Sequence, residues 1–90
     1  MRMVEIIRRK LEAAFQPEQL AIEDESHRHA GHAGARPGGE THFRVHLVAS
    51  VFKGVSRVER QRRVYEVLAD EMQDRVHALA LSVKAPDEVN

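Results

Sequence analysis

Val4, Ile7, Leu11 and Phe15, with Ile6 and Ala14 beside them, recur at helical spacing, and Glu5, Arg8, Arg9 and Glu12 fall outside that stripe. The pattern predicts a first helix from about Arg2 to Phe15, stopped by Pro17. Leu20 to Glu25 reads as a short strand with Leu20 and Ile22 turned inward and an acidic end. From His42 to Val51 the alternation is regular. Phe43, Val45, Leu47, Ala49 and Val51 share one face, and Arg44, His46, Val48 and Ser50 share the other. Such a strand is half buried, with helices on one side only. After the break at Lys53 and Gly54, Ser56-Arg57-Val58-Glu59 fits a capping box. The helix it opens carries Val58, Tyr65, Leu68, Ala69 and Met72 on one face, with Val64 and Val67 at the edges, and ends near Gln73 and Asp74. His77 to Val83 alternates again, with Leu79, Leu81 and Val83 on one side.

The order is therefore helix, strand, strand, helix, strand, with a split allowed in the second helical segment. A helical crossover joins strands two and three, which favours a parallel pair; a loop joins strands one and two, which favours an antiparallel one. The expected architecture is an α/β fold of the α+β sandwich kind, a three-stranded mixed sheet with helices on one face. Residues 1–90 read as a single domain with a flexible His- and Gly-rich loop at 27–40 and a polar tail at 86–90.

Composition narrows the function classes. The 90 residues are 42% hydrophobic and 31% charged, with 14 basic against 14 acidic side chains. Zero net charge removes any global electrostatic argument for nucleic acid or membrane, so only local clusters can argue for either. The chain has no cysteine, which excludes disulfides, a thiolate nucleophile and a self-sufficient thiolate metal site. No unbroken apolar run marks a signal peptide or a membrane span, and a cytoplasmic location is the expectation.

Histidine supplies the chemistry that remains. His27, His29 and His32 form a His-x-His-x-x-His cluster, a pattern able to hold a divalent metal but more often simply solvated. His77 opens the last strand. By parity it shares the side of Leu79, so it suits a core-edge histidine as well as a ligand. His42 and His46 fall on the outer parity of strand two and read as ordinary exposed residues. A basic cluster, Lys53, Arg57, Arg60, Arg62 and Arg63, sits at the start of the long helix, while Glu66, Asp70, Glu71 and Asp74 crowd its later half. Both groups oppose the helix dipole. That arrangement suits an anionic partner, with a solvated face supported by Glu59 and Arg63 as the plain alternative.

Several segments together resemble the BolA family: Asp24 to His29, Glu40 to Val45, Phe52-Lys53-Gly54, Val58 to Tyr65, and Val76 to Leu81. The likeness covers nearly the whole chain in order and spacing. It implies a fold like the class II KH domain, with element order α-β-β-α-(α)-β, and a non-enzymatic partnership with a monothiol glutaredoxin. In that partnership the two proteins share a 2Fe–2S cluster. The glutaredoxin cysteine and glutathione would supply sulfur, and this chain would supply His77 and, in the histidine-type branch, His29, with His32 and His27 as substitutes. No cofactor is expected in the isolated chain, and a weak homodimer is compatible with the likeness. Imidazole ligands raise the potential of such a cluster and make it proton-sensitive. One departure stands out: Gln61 occupies the place of a family histidine in the long helix.

DNA-binding regulation through the basic helix 53–63 is the rival function, since the implied fold resembles a nucleic-acid module. Gly31-His32-Ala33-Gly34 matches the KH phosphate-gripping pattern but lies between strands one and two, where that loop does not belong. Catalysis is the weakest class: no nucleophile triad, phosphate-binding loop or dinucleotide fingerprint appears.

Overall fold

The computed structural model describes residues 2–25 and 42–89. Its elements are helix α1 (Met3–Phe15), strand β1 (Gln19–Asp24), strand β2 (His42–Val48), helices α2 (Arg57–Val67) and α3 (Ala69–Asp74), and strand β3 (Ala78–Lys84), with short 3-10 turns at Ser50–Phe52 and Pro86–Glu88. The sheet order is β1-β2-β3. β1 and β2 are antiparallel, with Gln19 opposite Val48 and Asp24 opposite Phe43. β2 and β3 are parallel, with His42 opposite Ala78 and Val48 opposite Lys84. This is the mixed sheet that the connections imply. The expected loop at 27–40, with His27, His29 and His32, lies outside the described residues.

The core lies between the helices and one sheet face. Met3, Ile7, Leu11 and Phe15 are buried along α1, so Met3 rather than Val4 heads the stripe. They meet Phe43, Val45 and Leu47 of β2 together with Phe52, Val64, Leu68 and Val76. α1 ends as Gln16 turns left-handed (φ 49°), its N–H still bonded to the Glu12 carbonyl, and Pro17 prevents another turn. Lys10 of α1 clamps α3 through a 2.9 Å ion pair with the largely buried Glu71.

Two details differ from the sequence pattern, and a third settles where the allowed helix split falls. β2 stops at Val48, and the 3-10 turn then reverses the parity: Phe52 is fully buried against Phe15 (ring centroids 4.9 Å apart), while Val51 is 48% exposed. Val48 and Ala49 are both buried at the switch. The inward face of α2 runs through Arg60, Val64 and Leu68, four residues apart, rather than through Val58 and Tyr65; Val58 is 70% exposed. Finally, the helix breaks at Leu68, whose ψ of 18° is not helical, so Asp70 and Glu71 lie in the first turn of α3. The dipole there favours acids, so the charge-reversal argument falls for Asp70 and Glu71, while Glu66 and Asp74 still lie at helix C-terminal ends.

Candidate functional site

The junction between α3 and β3 sets the position of His77. After Asp74 the backbone leaves the helix, with the Arg75 and Val76 amides both donating to the Glu71 carbonyl (3.1 and 3.0 Å). Val76 turns into the core, 3% exposed. Backbone alternation then throws His77 outward, where it is exposed one residue ahead of β3. A core-edge role for this ring is thereby removed.

A second ring stands beside it. His42 begins β2 directly opposite Ala78 in the parallel ladder, and the His42 and His77 rings lie 6.3 Å apart at 37°. His42 is half buried, and its carbonyl accepts a 2.7 Å hydrogen bond from the Glu25 N–H. Glu25 in turn pairs with Arg44 at 3.2 Å, bracing the start of β2. The expectation that His42 is an ordinary exposed residue is corrected: it neighbours the principal candidate. The signal was available in the sequence, since two parallel strands each headed by histidine place those heads side by side.

With metal–nitrogen bonds of about 2.1 Å, the ring centroids of two imidazoles on one tetrahedral ion stand roughly 5 Å apart, against 6.3 Å between these rings. Among the described residues no three His, Cys, Asp or Glu side chains converge on a common point.

The predicted basic cluster does not act as one surface. Arg60 is 6% exposed and drawn into the fold. It donates to the Val55 carbonyl (2.8 Å), the Val83 carbonyl (3.2 Å) and both Glu88 oxygens (2.6 and 3.0 Å). The Arg60 guanidinium, and after it the Ala85 N–H, hold the Glu88 carboxyl down to about 2. Arg60 is therefore an internal clamp and is withdrawn as a partner contact. The end of the chain is likewise more than a polar tail, because its 3-10 turn presents Glu88 to that clamp. Arg62 and Arg63 share Glu59 at 3.4 and 3.3 Å. Ser56 Oγ accepts from the Glu59 N–H at 3.2 Å, the Ser half of the expected capping box, while the Glu59 carboxylate faces these arginines. Lys53 and Arg57 remain exposed without an ion pair among the described residues.

No helix among the described residues is long and apolar enough to cross a membrane. Residues 11–88 match the BolA-like protein family. The chain is 45% identical over 87 residues to SufE-like protein 1, chloroplastic/mitochondrial, of Arabidopsis thaliana, covering 92% of this chain but only 24% of that protein. It is 40% identical to the DNA-binding transcriptional regulator BolA of Haemophilus influenzae, covering 98% of this chain and 82% of the relative. Among solved structures, BolA1 from Arabidopsis thaliana superposes with a TM-score of 0.90 at 36% identity, over 100% of this chain and 99% of that one.

Proposed function

The chain belongs to the BolA-like protein family, and from that premise we propose that it is a non-enzymatic adaptor that binds a monothiol glutaredoxin and co-ligates a 2Fe–2S cluster. Its role would be iron–sulfur trafficking or iron-status regulation, in the cytoplasm. The observation that carries this reading is His77, held outward by the buried Val76 and paired with His42 at 6.3 Å. His77 is the first ligand. His29 is the second that the family resemblance implies, and His42 competes with it on the strength of its position; His32 and His27 are substitutes. The cluster, when bound, supplies one-electron redox chemistry and exchangeable iron and sulfide. The chain's own contribution is to fix two nitrogen donors at an open end of the sheet, where a second protein carrying thiolates can reach them.

Reconstitution with a monothiol glutaredoxin, glutathione, iron and sulfide, followed by visible circular dichroism, tests the proposal. His77→Ala abolishes the spectrum of the heterodimer, and His29→Ala shifts or weakens it. His42→Ala weakens it instead if His42 is the second ligand. A spectrum that none of the three changes would sink the ligand assignment.

A second reading, DNA-binding regulation, is favoured by the likeness to the DNA-binding transcriptional regulator BolA of Haemophilus influenzae. With Arg60 committed to Glu88, it would rest on Lys53, Arg57, Arg62 and Arg63. DNA affinity that falls steeply with salt and is lost on replacing Arg57, Arg62 and Arg63 by Ala would support it.

A further inference from the structure

β3 is an edge strand, and its outer side is only partly closed. The Lys84 carbonyl accepts from the Ala49 N–H (3.0 Å), so the even positions of β3 face inward to β2 and the odd ones face out. Two outward carbonyls are taken. Tyr65 Oη donates to Leu79 at 3.0 Å, and Arg60 donates to Val83 at 3.2 Å. Between them the Leu81 N–H and carbonyl meet no hydrogen-bonding group of the described chain outside the sheet. A cleft of about 670 Å³ opens there, walled by Val55, Arg57, Arg60 and Gln61 on one side and by Leu81 to Lys84 on the other. That volume is in the range of sites that hold small ligands.

The charge of the cleft decides what fits. Glu88 closes one end, but its carboxylate is committed to Arg60 and to the Ala85 N–H at 2.8 Å. Arg57 and Lys84 line the walls, are exposed, and form no ion pair among the described residues. The cleft thus offers a short stretch of unpaired strand edge flanked by two exposed cations that form no ion pair among the described residues, although Arg57 also helps to hold the Glu88 carboxyl low. Basic side chains at an edge repel a like-charged edge, such as β3 of another copy. They attract an extended segment bearing carboxylates.

We propose that this cleft binds an extended acidic peptide of a second partner, added to the sheet beside Leu81 and held through its carboxylates by Arg57 and Lys84. Main-chain pairing gives affinity, the two cations give selection, and the plugs at Tyr65 and Arg60 limit the added strand to a few residues. The site is centred on Leu81, four residues and roughly 13 Å along the strand from His77. It does not depend on the ligand assignment there.

The test is a titration of the full-length 15N-labelled chain with a capped hexapeptide of alternating valine and glutamate, read by amide shifts and hydrogen exchange. The expected result is shifts centred on Leu81 and Val83 and slowed exchange at Leu81. Affinity falls at least tenfold in the Arg57→Glu, Lys84→Glu double variant, and also when alternate peptide nitrogens are methylated. Both substituted residues are exposed, so the variant keeps its far-ultraviolet spectrum and melting temperature. Absent or scattered shifts overturn the proposal, as does equal binding by a valine–lysine peptide or by the methylated one. So does single-stranded oligothymidine taking the same amides more tightly, or pairing of two copies through β3 in sedimentation before peptide is added.

Discussion

At the scale of single residues, the clamp between Arg60 and Glu88 carries the clearest pH signature. The Glu88 carboxyl is lowered from 4.5 to about 2 by the Arg60 guanidinium and then the Ala85 N–H. A depressed carboxyl stabilises the fold fully above its unfolded value and loses that contribution as pH falls through its folded one. Thermal melts should therefore show Glu88→Gln less stable than the parent near neutrality. The gap should narrow between pH 4.5 and about 2 and close below that. A gap unchanged at pH 2 would show that the carboxylate is not what holds Arg60. This residue also marks a limit of sequence reading. Apolarity places Val58 inside and Arg60 outside; the fold does the reverse, because a guanidinium with carbonyl and carboxylate acceptors can enter a wall that one more valine does not reach. Those acceptors come from Val55, Val83 and Glu88, which no local pattern brings together.

At the scale of elements, helical and strand periods were readable wherever an element has one buried face. α1, the antiparallel β1 and the alternation of β2 as far as Leu47 follow from spacing and connection lengths. Elements that change face part-way were not. The 3-10 turn at Ser50–Phe52 inverts β2 parity, and the split allowed for in the second helical segment falls at Leu68, well past a short first turn. Both depend on long-range packing of Phe52 and Leu68 into the core rather than on turn residues. The start of α2 was legible through its cap. Ser56→Ala removes the hydroxyl acceptor of the Glu59 N–H and should lower stability by about 1 kcal/mol, measured by urea unfolding. A loss near zero would mean that water serves that amide equally well. The turn before α2 needs Gly54, which sits at φ 75°, although a Cβ there would meet nothing within 4 Å.

At the scale of the whole molecule, the order and sense of the strands follow from the connections, and membership of the BolA-like family agrees with them. Phe52 ties the layers together: it is fully buried, touches Phe15 of α1, and lies in the crossover between β2 and β3. Phe52→Ala should cost about 3–5 kcal/mol in chemical denaturation. Against a total stability of about 5–15 kcal/mol for a domain, such a loss leaves a marginal fold. A cost under about 1 kcal/mol would place the centre of the core elsewhere. Of the candidate site, His77 came from the family resemblance, while strand parity alone placed it on the side of Leu79 rather than outward, where it lies. His42 was passed over although the expected parallel pairing of two histidine-headed strands already placed it beside His77, and His27, His29 and His32 fall outside the described residues.

That register has a consequence in time. His42 and His77 are remote along the polypeptide, and only completion of the β2–β3 ladder, after the whole helical crossover has formed, brings them within reach of each other. Such a pairing is non-local, and contacts of that kind slow folding because their closure entropy must be met before they form. A nascent or half-folded chain therefore owns both imidazoles but no pair, and any chemistry that demands the two together is reserved for the mature molecule.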